Sequence, residues 1–298
     1  MFELRRLRLL HELALRGTLA AVAEALAYSP STVSQQLALL EREAGVPLIE
    51  PDGRRVRLTA HGRVLAAHAA QMIELDERAR DELASVQTGL APIRLAVMQT
   101  AAQSIVPRAL TLLAQRTPGL RVEMSELAPE QGLFELSARS FDLVIAEQYA
   151  GHQRELVPGI HRERIGEDPL RLVLPPDDTA GDLAAMRDRA WVLEPIGTAA
   201  RQWALQQCRA AGFEPEVRFE SADLVSHIRL ISAGHAVGIL PDLVWSATEV
   251  PVRLAALPGM PVREVFTAVR ASSVPSEGIA LVRRALREAF DAHTVHLG

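Results

Sequence analysis

The sequence predicts an α/β chain in two parts. A small N-terminal helical module, closed by a β-hairpin and extended by one long helix, precedes a larger domain of two α/β lobes. Three observations lead there. Apolar residues recur at three- and four-residue steps through most of the first 88 positions, the period of a helix face. Pro51-Asp52-Gly53 interrupts them with a hairpin turn signal between two β-prone runs. From Ile93 onward, strands alternate with helices of about 10–15 residues, the pattern of βαβ units.

The first helix, 4–16, turns Leu7, Leu10 and Leu13 inward and ends at Gly17, a natural C-cap. Thr18 can cap the next helix, whose inner face is Leu19, Val22 and Leu26. At Tyr28-Ser29-Pro30 this helix must end, because the residue before proline is pushed out of the helical region. Proline then suits the start of a new helix, where its missing N–H would be unpaired anyway. That helix has Val33, Leu37 and Leu40 inside, while its other face carries Ser31, Thr32, Ser34, Gln35 and Gln36 before any charge. Hydroxyls and amides are what base edges require in the major groove, and a helix-turn-helix presents the N-terminal residues of its second helix there. The hairpin places Arg54, Arg55 and Arg57 on its returning strand, the composition of a wing lying along phosphates. Together these predict a winged helix-turn-helix that binds double-stranded DNA, with Thr18 counted among the DNA-facing candidates.

Thr59 opens a long helix carried to about residue 88. Leu65, His68, Met72, Leu75, Ala79 and Val86 form a seam like that of a coiled coil, with Glu82 breaking the register. So narrow a stripe on about 30 residues cannot be buried within a small winged domain, so pairing with a second copy, a homodimer, is expected. An operator for such a dimer is an inverted repeat.

Gly89 to Pro92 marks a domain boundary. In the first lobe, strands are expected at 93–98, 121–126 and 142–146, with helices at 101–115 and 129–140. In the second, strands fall at 170–174, 191–193, 217–219 and 237–240, with helices at 199–211 and 222–233. Strand 262–269 and helix 275–291 return to the first lobe. Two lobes joined by crossings near Glu167 and Glu264 make a clamshell like the periplasmic binding proteins. The expected division is 1–58 for the winged domain, 59–89 for the linker helix and 90–298 for the clamshell. Lobe 1 takes about 92–167 and 265–298, and lobe 2 about 168–264. Ligands in such sheets sit beyond the carboxyl ends of strands, beside helix N-termini. Thr100-Ala101 and Thr198 occupy two such positions, and their N–H groups favour an anionic effector.

Composition narrows the function. The 298 residues, 48% hydrophobic and 23% charged, suit a globular chain with no run long enough to span a membrane. No secretory signal is legible at the N-terminus and the single cysteine, Cys208, cannot make an internal disulfide, so a cytoplasmic location is expected. Every basic side chain is arginine. Residues 1–66 hold nine against seven acids, net +2, and the remainder is net −7, so DNA binding must rest on a local basic surface. Histidines show no metal-ligand spacing, and neither HExxH, paired CxxC nor GxSxG occurs; no metal, cofactor or enzymatic activity is expected.

With those residues in view, the chain resembles the LysR-type transcriptional regulators. The likeness runs through the turn Ala27 to Pro30, Val33-Ser34-Gln35-Gln36-Leu37, Leu39-Leu40-Glu41, Gly45-Val46-Pro47-Leu48 and Arg54-Arg55-Val56-Arg57-Leu58-Thr59. Ile49 stands where phenylalanine is common, and Pro51 where members often carry arginine. The resemblance implies a dimerising linker helix, assembly to a homotetramer and a small-molecule effector between the lobes. Its cleft positions add Gln148 and Ile196 to the effector-binding candidates. The alternative reading is a small-molecule sensor module in which DNA binding is secondary.

Overall fold

The protein is described from a computed structural model. It covers all residues except 54, 89, 152–158, 180, 246–250 and 295–298, and the side chains of 81, 84–88 and 294. It forms two compact units, Met1–Ala91 and Pro92–Gly298.

In the first unit, α1 (Leu4–Arg16) ends as expected at Gly17, whose φ of 73° lets its N–H reach the Leu13 carbonyl. Thr18 caps α2 (Leu19–Ala25), its hydroxyl accepting from Ala21 N at 3.2 Å. The turn beyond is tighter than proline alone requires. Ala27 adopts φ 54° and Tyr28 N–H bonds back to the Ala23 carbonyl at 2.8 Å, so a non-glycine residue holds a left-handed helix stop. Pro30 opens α3 (Pro30–Ala44), which Ser29 caps. Leu7, Leu10, Leu13, Val22, Val33, Leu37 and Leu40 meet in one buried core.

The wing pairs β1 (Ile49–Asp52) with β2 (Arg55–Leu58), antiparallel. Then α4 (Ala60–Thr88) runs for 29 residues. Gly62 lies so close to the Leu48 carbonyl that a Cβ would meet it at 2.0 Å, which explains the glycine. The apolar residues of α4 divide between two faces. Ala66, Ala69 and Ile73 are buried, the two alanines in the α1–α3 core, and Leu65 packs against that core too. The outer stripe is Val64, Met72, Leu75 and Leu83, all exposed. Leu65 therefore leaves the expected seam and Val64 replaces it, while the Val86 side chain lies outside the described residues.

In the second unit, β3 (Ile93–Val97) pairs in parallel with β4 (Val122–Glu126) and β5 (Leu143–Tyr149). The expected helix at 101–115 is two, α5 (Gln99–Ser104) and α6 (Val106–Arg116), because Pro107 has no N–H to continue the ladder. Helix α7 (Pro129–Ser137) precedes β5. The crossings are long antiparallel strands: β6 (Ile160–Leu174) runs 15 residues beside β11 (Val262–Arg270), which also pairs with β5. Ile165 bulges from this ribbon opposite Val265 and Phe266. The first half of β6, rich in charge, was not expected as strand.

In the second lobe β6 adds β9 (Gly238–Pro241) and β10 (Arg253–Ala256), both antiparallel. There β7 (Ala190–Leu193) and β8 (Glu216–Glu220) form a parallel pair flanked by α8 (Ala199–Ala210) and α9 (Leu224–Ser232). Period-two alternation sorts this half of β6: Leu170, Leu172 and Leu174 join Trp191, Trp203 and Cys208, whereas Val173 joins Val192 and Ile228. The closing helix α10 (Glu277–Thr294) packs against α6.

Candidate DNA-reading face and effector cleft

On α3, Ser31, Ser34 and Gln35 are exposed, while Thr32 and Gln36 are half-buried. Ser29 Oγ accepts from Thr32 N at 3.1 Å and lies 2.8 Å from both Ser31 Oγ and Thr32 Oγ1, so three hydroxyls cluster at the helix start. Gln36 is held from behind: its Oε1 accepts from Arg6 Nε at 3.1 Å, and Arg6 also pairs with Glu3 and Glu43. Gln35 is thus the exposed amide of the pair. The Thr18 hydroxyl is spent on its cap. On the wing, Arg57 faces Glu50 across the hairpin at 2.9 Å, which offsets its charge, and Arg55 is exposed beside the turn. Arg54 lies outside the described residues.

The second unit holds a cavity of about 310 Å³ where the carboxyl ends of β3, β4, β5 and β7 meet the starts of α5, α7, α8 and α9. Its floor is Arg263 on β11, only 3% exposed. The guanidinium donates to Asp168 Oδ2 from Nε at 2.9 Å and to Thr100 Oγ1 from Nη2 at 2.7 Å. Asp168 also accepts from Leu243 N at 3.0 Å. Burial pushes the Asp168 carboxyl up, opposed by Arg263, whose own proton the aspartate holds more tightly. One buried ion pair thereby ties β6, β11, α5 and the chain beyond β9.

Gln99 spans the cavity mouth. Its Nε2 donates to Asp223 Oδ1 at 2.9 Å and its Oε1 accepts from Leu224 N at 3.0 Å, joining α5 of one lobe to α9 of the other. Thr198 lines the cavity, but its hydroxyl donates to the Pro195 carbonyl and accepts from Arg201 N at 3.3 Å as the cap of α8. Thr100 lines it with its hydroxyl on Arg263. Ala101 is fully buried outside the lining, Ile196 is 81% exposed away from it, and strand alternation puts Gln148 with Val144 and Ala146 on the opposite face, near Arg162. The position that faces the cavity is Glu147.

The expectation here was an anionic ligand, and the charge of the lining runs the other way. Among the described residues four glutamates line the cavity: Glu126, Glu130, Glu147 and Glu194. The first N–H groups of α9 are committed to Asp223 and Gln99 and that of Arg201 to Thr198, whereas α5 and α7 begin without a side-chain cap. Burial, reinforced by Glu147, raises the Glu194 carboxyl to about 7. A carboxyl raised in the folded state contributes stability below its unfolded value, about 4.5, and loses it as pH climbs through 7. Glu194→Gln should therefore flatten the stability profile and gain about 2 kcal/mol over the parent at pH 8. Parallel unfolding curves at pH 5 and 8 for the two proteins would show the carboxyl to be unshifted.

Two family descriptions match this chain: "Bacterial regulatory helix-turn-helix protein, lysR family" over residues 4–63 and "LysR substrate binding domain" over residues 89–291. Together they span nearly all of it, so the chain belongs to the LysR family of transcriptional regulators, with a DNA-binding helix-turn-helix and a C-terminal ligand-binding domain. Among curated relatives, the transcriptional dual regulator GltC of Bacillus subtilis is 26% identical over 83% of this chain and 83% of its own length. A probable hydrogen peroxide-inducible genes activator of Mycobacterium avium is 30% identical over 75% of this chain and 72% of its own. Such relatives are transcriptional regulators rather than enzymes. Among solved structures, a full-length OxyR variant from Pseudomonas aeruginosa shares the fold at TM-score 0.66, with 22% identity over 96% of this chain and 95% of that one. Full-length CbnR bound to its target DNA matches at TM-score 0.55, with 23% identity over 97% and 100%. No helix among the described residues is long and apolar enough to cross a membrane.

Proposed function

We propose that this regulator acts as a cytoplasmic homodimer or higher homo-oligomer, reading an inverted-repeat operator through Ser31, Ser34 and Gln35. The DNA-reading unit is taken as 1–58, the pairing helix as 59–89 and the effector domain as 90–298. The observation that carries the reading is the exposed hydroxyl and amide face at the start of α3, backed by Arg55 on the wing. In this reading the effector sits in the cavity between the lobes. A ligand there biases the assembly only by binding its states unequally, with couplings of about 1–3 kcal/mol.

Although one of these relatives is named a probable hydrogen peroxide-inducible genes activator, the single cysteine of this chain does not fit a peroxide sensor. Cys208 is fully buried in the lobe 2 core, and burial pushes its thiol up to about 12, far from the thiolate that such chemistry needs. We therefore assign signal reception to the cavity.

The test compares two substitutions on specific and random duplexes across salt. Gln35→Ala should cost about 1–3 kcal/mol on the operator and relax base preference at one position per half-site. Arg55→Ala should weaken every duplex alike and reduce the salt slope by about one unit per arm bound. Equal losses on both duplexes for both variants would remove Gln35 as a base reader. With Arg6 gripping its carbonyl, Gln36→Ala should loosen α1 against α3 as well as any DNA contact.

A further inference from the structure

Resting on the cavity as the effector site, the charge around it names the kind of ligand. Among the described residues its lining holds one cation, Arg263, and that guanidinium is already engaged by Asp168 and Thr100. Arg201, the nearest arginine on α8, is spent on the Glu194 carbonyl at 2.9 Å and on Glu220 at 2.6 Å. Against them stand Glu126, Glu130, Glu147 and Glu194. Among the described residues the Glu194 carboxylate accepts no hydrogen bond and joins no ion pair, although it is half-buried. Glu147, 7% exposed, follows four apolar residues of β5 and faces the same space. A half-buried carboxylate without a partner, as at Glu194, is stabilised when a positive group arrives.

We propose that the effector of this regulator is a small organic cation, an amine or guanidine whose charged head is received by Glu147 and Glu194. A metal ion is the weaker occupant, because among the described residues no three His, Cys, Asp or Glu side chains could hold one. The apolar share of the lining, from Met98, Leu127, Pro129 and Leu224, takes the carbon chain of such a ligand. Protons move with it. Near neutral pH the Glu194 carboxyl is partly protonated, facing Glu147, Glu126, Glu130 and Arg263 in the cavity, with Tyr149 and His227 beside it. A cation seated there favours the ionised form, so binding releases a proton.

The experiment uses the full-length protein and matched probes: primary amines and guanidines from 1,4-diaminobutane to arginine, the corresponding carboxylates such as butanedioate, and neutral butane-1,4-diol. Melting temperature identifies binders, and calorimetry in two buffers of different ionisation enthalpy counts protons. At least one amine or guanidine should bind at about 10 mM or below, with proton release at pH 6.5. Glu194→Gln should weaken it by about tenfold or more and abolish the proton release, while leaving the ligand-free fold intact. Ala200→Trp, which fills the cavity, should remove binding altogether. The proposal is overturned if no amine or guanidine binds, if binding survives Glu194→Gln with its proton release unchanged, or if only carboxylates bind. A carboxylate whose binding is lost in Ala200→Trp would still leave the cavity as the effector site. Binding that ignores Ala200→Trp would dismiss the cavity itself.

Discussion

Arg263→Met lowers the stability of the effector domain by about 3–5 kcal/mol, the largest single-residue loss expected in this chain. The reason is what remains behind. Asp168, 2% exposed, would keep a charge with only the Leu243 N–H to answer it, and Thr100 would lose its donor. All three tryptophans, Trp191, Trp203 and Trp245, lie in the second unit, so their fluorescence follows that domain alone in denaturant. Removing both charges in Arg263→Met with Asp168→Leu should recover most of the loss, because a buried pair exchanged for apolar side chains is often neutral. A loss below about 1 kcal/mol in the single variant would mean that water reaches Asp168 and that the pair is not the keystone its burial suggests.

Met72→Glu with Leu75→Glu is expected to give monomers and to cut operator affinity by about 10²- to 10⁴-fold, the advantage that two linked half-site contacts confer. Both side chains are exposed on α4, within one stripe with Val64 and Leu83. That is far more apolar surface than a solitary helix leaves to water. Glutamate at Leu65, which faces the chain's own core, should instead destabilise the winged domain itself. Sedimentation of the double variant decides between these: an intact dimer would take the outer stripe out of assembly.

The helix-turn-helix was legible because its signals are local. Gly17, Thr18, Ser29 and Pro30 each mark a helix end within a turn of where they act, and the core stripe of α3 is plain in period. The linker seam slipped by one position because α4 has two apolar faces. Its inner one is built from small residues, Ala66 and Ala69, which carry little weight in a hydrophobic pattern. The position of the cavity beside helix starts was legible, and the charge of its lining was not. Thr100 and Thr198 do border it, yet their hydroxyls are committed to Arg263 and to the α8 cap. The residues that set its charge meet only through long-range register: Glu147 opposite Val265 on the neighbouring strand, Asp168 opposite Arg263 on the next. One trace was present in the sequence, a carboxylate directly after the apolar run of 143–146.

The unbroken passage of β6 between the lobes has a mechanical meaning. A clamshell on slack loops swings open at almost no cost, but here residues 160–169 of the strand are paired with β11, the rest with β9 and β10, and the strand must flex as part of a ribbon. Such a ribbon yields where its ladder is already interrupted, at the Ile165 bulge, and Gly166 there lies against the Phe290 ring so closely that a Cβ would meet it at 2.1 Å. The two lobes then behave as the arms of a leaf spring, with the bulge as its flexure and the Gln99 bridge as its catch. Small displacements in the cleft are returned elastically rather than dissipated, which suits a molecule that must report a ligand by tension more than by travel.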